Sequence, residues 1–214
     1  MTDRRTLLLA VSLTAFLPPA SAWAEPCCGP VTPAGERLLA RLNASGVDHL
    51  WQPRVHVVWD TGEPDPMASR SGSGLPSTHC SSFAAAFAKT LNVYMLRPPD
   101  HPQGLLANAQ MHWFAVSGPA QGWRPLPDAT SAQRSANQGN LVVALVENPD
   151  PAKAGHIAIV RPGTPDPATL AAQGPDVTQA GGTNAISIPL ARGFHHHPGA
   201  WPSAVRFFEH SIGA

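Results

Sequence analysis

Charge is scarce in this sequence: Lys, Arg, Asp and Glu make up 13% of 214 residues, with 14 basic residues against 14 acidic ones. There is no basic stripe to meet a run of phosphates, which argues against a nucleic-acid partner, and no polybasic segment to hold the chain on an anionic membrane. Neither Cys-x-x-Cys nor His-Glu-x-x-His occurs, so the strongest zinc signatures are missing and no metal or cofactor is expected. No apolar run is long enough to cross a bilayer, which takes roughly 18 residues or more, and no internal repeat is visible. Cysteine is limited to Cys27, Cys28 and Cys80. An odd count leaves one thiol free or reactive; the adjacent pair would be strained in bonding to each other, and a bond from either to Cys80 would block that thiol.

Proline, by contrast, is abundant at 24 residues. Because apolar runs persist throughout, this points to rigid loops around a packed centre and not to disorder. Arg4 and Arg5 precede Leu7-Leu8-Leu9-Ala10-Val11 and a small-x-small end at Ala22-Trp23-Ala24. That order reads as a signal peptide over residues 1–24, either an ordinary secretory head or a twin-arginine signal. Both routes place the protein in the periplasm or outside the cell, without stable membrane insertion after cleavage. About 190 residues then remain, enough for one domain with a full core: an N-terminal segment over 25–50 with one helix, and a main domain over 51–214.

Cys80 stands where a loop turns into a helix. Gly72, Gly74 and Pro76 resist helix before it, and Phe83, Phe87 and Leu91 repeat at four-residue spacing after it. The thiol therefore sits in the first helical turn, where unpaired N–H groups and the positive end of the macrodipole favour a thiolate. The competing view is that a lone cysteine in an alanine-rich helix is usually a small buried hydrophobe, so a partner base has to decide between them. Gly155-His156-Ile157-Ala158-Ile159-Val160 supplies one, at the start of a β-type run that would hold an imidazole at a strand end. Pro175-Asp176-Val177-Thr178-Gln179-Ala180 reads as the next strand. If the two pair antiparallel, Gln179 or the nearby Asn184 accepts from the far imidazole nitrogen.

Three stretches resemble the papain-like cysteine amidases and endopeptidases of bacterial cell walls, the NlpC/P60 and CHAP type domains. His79-Cys80-Ser81-Ser82-Phe83 is similar to their nucleophile at a helix start, Gly139-Asn140-Leu141-Val142-Val143-Ala144 to their strand before the histidine, and Gly155-His156-Ile157-Ala158-Ile159-Val160 to their Gly-His strand. The likeness runs from about Trp51 to Asn184. Its third position is commonly His, Glu or Asn, so Gln179 is a departure. The resemblance implies an α+β papain-like fold, with a nucleophile helix packed on a mostly antiparallel sheet. It also implies a hydrolase acting on peptidoglycan or a peptide through an acyl-enzyme on Cys80, with His156 as base, Gln179 as orienting group and backbone N–H groups at the helix start holding the oxyanion. Fold kinship alone does not fix chemistry: an acyltransferase or another amidase uses the same residues, and a non-catalytic binding protein could keep the scaffold.

Elsewhere, Thr32-Pro33 followed by Leu38, Leu39 and Leu42 predicts a capped helix stopped at Gly46. Val55-His56-Val57-Val58-Trp59 alternates as a strand. Residues 103–116 and 128–138 predict two more helices, the second capped by Asp128 and ended by Gly139. Asn108, Gln110 and Asn137 within them are expected to be satisfied surface amides. Strands are expected at Leu141–Val146, His156–Arg161 and Asp176–Ala180, near Ile186 and at Val205–Phe208. His79 is given a packing role. His195-His196-His197 is read as a patch at a cleft rim, since consecutive side chains diverge and seldom converge on one ion.

Overall fold

A computed structural model describes residues 27–68 and 78–213. The segment read as a signal peptide and residues 69–77, most of the loop leading to Cys80, lie outside the described residues.

The protein is α+β, built on one six-stranded sheet. Its strands are β1 (Arg124–Leu126), β2 (Leu141–Val146), β3 (His156–Val160), β4 (Asp176–Gln179), β5 (Ala185–Pro189) and β6 (Arg206–His210). They lie in the order β1-β6-β2-β3-β4-β5, and every pairing is antiparallel. Among the described residues six α-helices accompany them: α1 (Pro33–Asn43), α2 (Cys80–Thr90), α3 (Leu106–Val116), α4 (Ala129–Asn137), α5 (Pro167–Gln173) and α6 (Leu190–Gly193). The expected caps are in place, with Thr32 Oγ1 accepting from the Gly35 N–H and an Asp128 carboxylate oxygen from the Ser131 N–H. β1, α5 and α6 are elements the sequence reading did not foresee.

All six residues of β2 are buried, which follows from cover on both faces. Leu141, Val143 and Leu145 join Ile157 and Ile159 under α2 and α3, packing on Phe83, Phe87 and Phe114. Val142, Ala144 and Val146 face the other way with Ala158 and Val160, against Ala132 and Ala136 of α4, Leu190 of α6 and Phe194. The helices thus clothe both sides of the sheet, and the Cys80 helix is one of them.

The segment Val55–Trp59 is not a strand; only an isolated bridge joins Val57 to Pro64. Side chains occupy the carbonyls that a ladder would use. His79 Nε2 lies 2.7 Å from Val55 O, Gln103 Nε2 donates to Val57 O at 3.2 Å, and Trp51 Nε1 donates to Trp59 O at 3.0 Å. Trp51 itself packs edge-on to Phe83 at 5.2 Å. A Cβ on Gly62 would fall 2.3 Å from the indole, so only glycine, here at φ 75°, lets the loop close over it.

The expectation of surface amides also fails for Gln110 and Asn137. Gln110 is fully buried and donates to the carbonyls of Ser81 and Leu96, tying α3 to the start of α2. Asn137, also buried, donates to Gly29 O and accepts from the Gly163 N–H. Asn108 Oδ1 accepts from the N–H groups of Asn148 and Gly155, while its Nδ2 donates to Lys153 O. These amides organise loops because their buried N–H groups find partners where water is absent, although Gln110 Oε1 has none among the described residues.

Candidate active site

Cys80 is the first residue of α2 and is 3% exposed. It is a free thiol, whereas Cys27 and Cys28 are joined to each other as a vicinal disulfide. The adjacent pair therefore spares the thiol proposed as nucleophile. The sulfur is not surrounded by hydrocarbon alone. The N–H groups of Ile157, Ser81 and Cys80 itself and the Thr78 hydroxyl approach it, and each favours the charged form. Burial outweighs them and pushes the thiol pKa up. This corrects the expectation that a helix start alone would deliver a ready thiolate: desolvation acts on the whole charge, while a helix terminus contributes only about half a charge.

His156 opens β3, paired with Val146 at the strand end, and is 6% exposed. Its Nε2 lies 2.9 Å from Oε1 of Gln179, the last residue of β4. Gln179 sits where the β4–β5 register shifts, a bulge of the kind that re-aims a side chain. Its Nε2 is committed to Thr183 O at 3.1 Å, which leaves Oε1 to face the imidazole. An acceptor at Nε2 fixes the tautomer: Nε2 carries the proton and Nδ1 is the basic nitrogen. Burial lowers the His156 pKa, and the Gln179 bond offsets this only in part. The ring is held from its sides by Phe194, edge-on at 4.6 Å, and by His197, nearly parallel at 5.9 Å.

Asn184, the alternative orienting group, is engaged elsewhere. Its Nδ2 donates to the carbonyls of Val47 and Leu50 at 2.8 Å, and its Oδ1 accepts from the Gly181 N–H. It ties the sheet end to the 47–51 turn, and the imidazole partner is Gln179.

Cys80 and His156 reach the same strand end from different faces. Alternation along β3 sends Ile157 toward α2 and Ala158 toward Phe194; the His156 ring leans to the Phe194 side. The sulfur meets the N–H of the peptide immediately after His156, and no hydrogen bond joins thiol to imidazole among the described residues. The expected direct meeting of thiol and imidazole is thus not formed: the two side chains lie on opposite faces of β3, and Cys80 is not among the residues lining the cleft at this strand end. In resting sites, catalytic hydrogen bonds are often long and tighten only in the complex.

A cleft of about 780 Å³ opens at this strand end, with Thr78, His79, Gly155, His156 and His197 in its wall. Its volume falls in the range of ligand-binding clefts. His79 is structural, buried and bonded to Val55 O, in line with its assigned packing role. His196 and His197 stand on the cleft, while His195 turns back to the Arg192 carbonyl, so the histidine run does lie at a rim. Among the described residues no group of His, Cys, Asp and Glu is arranged to hold a metal ion.

The sequence reading missed Thr78, Phe194 and two glycines. A Cβ on Gly193 would fall 2.6 Å from Gln179 Oε1, and one on Gly181 would fall 3.3 Å from His156 Cε1. Close glycines beside a polar side chain are a signature of a tightly held site, but nothing in the local pattern marks them before the strands are paired. The chain matches no family model, and no curated protein is significantly similar to it.

Proposed function

We propose that this chain is an exported papain-like cysteine hydrolase that cleaves an amide bond in peptidoglycan. The observation that supports it most is the His156–Gln179 hydrogen bond at the mouth of a cleft whose wall continues to the Cys80 helix start. It gives the base a defined tautomer, with the proton on Nε2 and the free lone pair on Nδ1.

The mechanism follows from the charges that burial disfavours. Thiol and imidazole both rest neutral, because desolvation raises one pKa and lowers the other. Proton transfer from Sγ to Nδ1 then accompanies attack of sulfur on the carbonyl carbon. The tetrahedral oxyanion forms beside the N–H groups at the start of α2. Its collapse breaks the C–N bond as His156 returns the proton to the departing amine. Water, deprotonated by His156, attacks the thioester and releases the acid and the thiol. Were an amine to replace that water, the same residues would carry out acyl transfer.

One observation favours a non-catalytic binding protein on the same scaffold: the deep burial and raised pKa of Cys80. The two readings part on one experiment. Mature protein starting after Ala24 is incubated with purified cell wall, and the released fragments are read by mass spectrometry. The hydrolase reading expects new amide-derived termini, abolished by Cys80→Ala and by His156→Ala while circular dichroism is unchanged. Undiminished function in Cys80→Ala would establish the binding protein. Export is tested separately, by the N-terminus of the protein recovered from the periplasm or medium.

A further inference from the structure

We infer that the substrate segment held in the cleft beside His156 carries a carboxylate, recognised by Arg54 and Lys153. This rests on the hydrolase reading only in calling the ligand a substrate.

The chain as a whole is neutral, yet the cleft is not. Arg54 and Lys153 both line it, together with His156, His196 and His197, and no Asp or Glu does among the described residues. A cleft whose wall carries cations and no acid focuses a positive potential and raises the local concentration of anions. Glu147 stands in the adjoining recess, which shares Lys153, His196 and His197 with the cleft, so the acid-free region is confined to the His156 side.

Both cations are presented by built backbone. Arg54 sits at φ 63°, a left-handed conformation that a non-glycine residue adopts at a cost. Such positions persist where the surroundings enforce them, and they cluster at ligand sites. Here the enforcement is visible on both sides: Asn184 fastens the carbonyls of Val47 and Leu50, and His79 bonds the carbonyl of Val55. Arg54 forms no ion pair among the described residues. On the other loop, Asn108 holds Lys153 O at 2.9 Å and the Gly155 N–H at 2.8 Å, one residue before His156. Among the described residues the Lys153 ammonium pairs with Asp150, at 3.4 Å in an exposed pair, a contact weak enough to yield to a ligand. A planar guanidinium suits a carboxylate in bidentate fashion, and the flexible ammonium completes the charge balance. Leu105, 42% exposed, adds an apolar edge to the cleft for the aliphatic part of the same segment.

The test uses soluble stem peptides prepared with free carboxyl groups and the same peptides with those groups converted to carboxamides. For the mature protein, kcat/KM for the acid should exceed that for the carboxamide by about tenfold at low ionic strength, shrinking as salt is added. Arg54→Gln and Lys153→Gln should each cut the acid's kcat/KM more than the carboxamide's, and Arg54→Lys, which keeps the charge but not the fork, should retain only part of the preference. Titration of both peptides into Cys80→Ala provides a readout independent of turnover. Preferential binding of the acid there, lost in Cys80→Ala/Arg54→Gln, upholds the anion site even if the wild type cleaves neither peptide, an outcome that would remove the hydrolase reading alone. Equal handling of acid and carboxamide, or a preference untouched by both charge-removing variants, overturns the inference.

Discussion

Nε2 of His156 and Oε1 of Gln179 lie 2.9 Å apart, and the other end of the same amide is spent on the carbonyl of Thr183. The glutamine therefore cannot rotate to present its NH2 without losing two bonds. Gln179→Ala should lower kcat about a hundredfold, at the lower end of what a positioned base contributes, with KM little changed. It should also leave the buried Nε2–H unpaired at a cost of roughly 1–3 kcal/mol, read as a shifted denaturant midpoint. A kcat equal to wild type would remove Gln179 from the site.

Gly193 offers a finer probe of the same contact. Gly193→Ala places a Cβ 2.6 Å from Gln179 Oε1, whereas Gly163→Ala meets nothing within 4 Å. Displacing the amide by even a fraction of its bond length should cost at least about tenfold in kcat. The Gly163→Ala control should behave as wild type.

Thiol reactivity should run against the simplest view of a helix-start cysteine. Burial raises the Cys80 pKa, so iodoacetamide should alkylate it more slowly at pH 7 than a free cysteine thiol, and urea should abolish the difference. Substrate analogues that bring Nδ1 of His156 to the sulfur should speed the reaction. Fast labelling of the unliganded protein at neutral pH would show that backbone N–H groups outweigh desolvation.

Stability should fall in acid. His79, His156 and His197 are all held below the ordinary imidazole value of 6.5, chiefly by burial. The unfolded chain then binds more protons than the folded one in the window below pH 6.5. Stability is thus fully present above that pH and is lost as pH drops through it toward the folded values. Melting temperature measured from pH 7.5 to 5 should decline, and His197→Gln should flatten part of the slope. Cys80 acts with the opposite sense, since its raised pKa withdraws stability as pH rises past the ordinary thiol value of 9.0.

Asn184 should prove structural. Asn184→Ala removes the donor to Val47 O and Leu50 O and the acceptor for the Gly181 N–H, for about 1–3 kcal/mol. The His156 tautomer should survive, so the pH dependence of kcat should keep its wild-type form even where the protein melts earlier.

Much of the frame follows from local chemistry. Thr32 and Asp128 cap their helices because a hydroxyl or carboxylate facing free N–H groups needs no tertiary partner. The β2 run, the strand after Gly155 and the placement of Cys80 at a helix start are equally local, since periodicity and chain breakers act within a few residues. What only the tertiary structure decided is where polar atoms find partners across the fold. Gln179 and Asn184 look alike in sequence, and a register shift in β4–β5 sends one to His156 while the other secures a distant turn. Val55–Trp59 alternates like a strand, but three side chains from elsewhere take its carbonyls. The Cys80 thiol likewise has the helix start its sequence implies and the opposite pKa shift, because desolvation depends on everything packed around an atom and not on its neighbours along the chain.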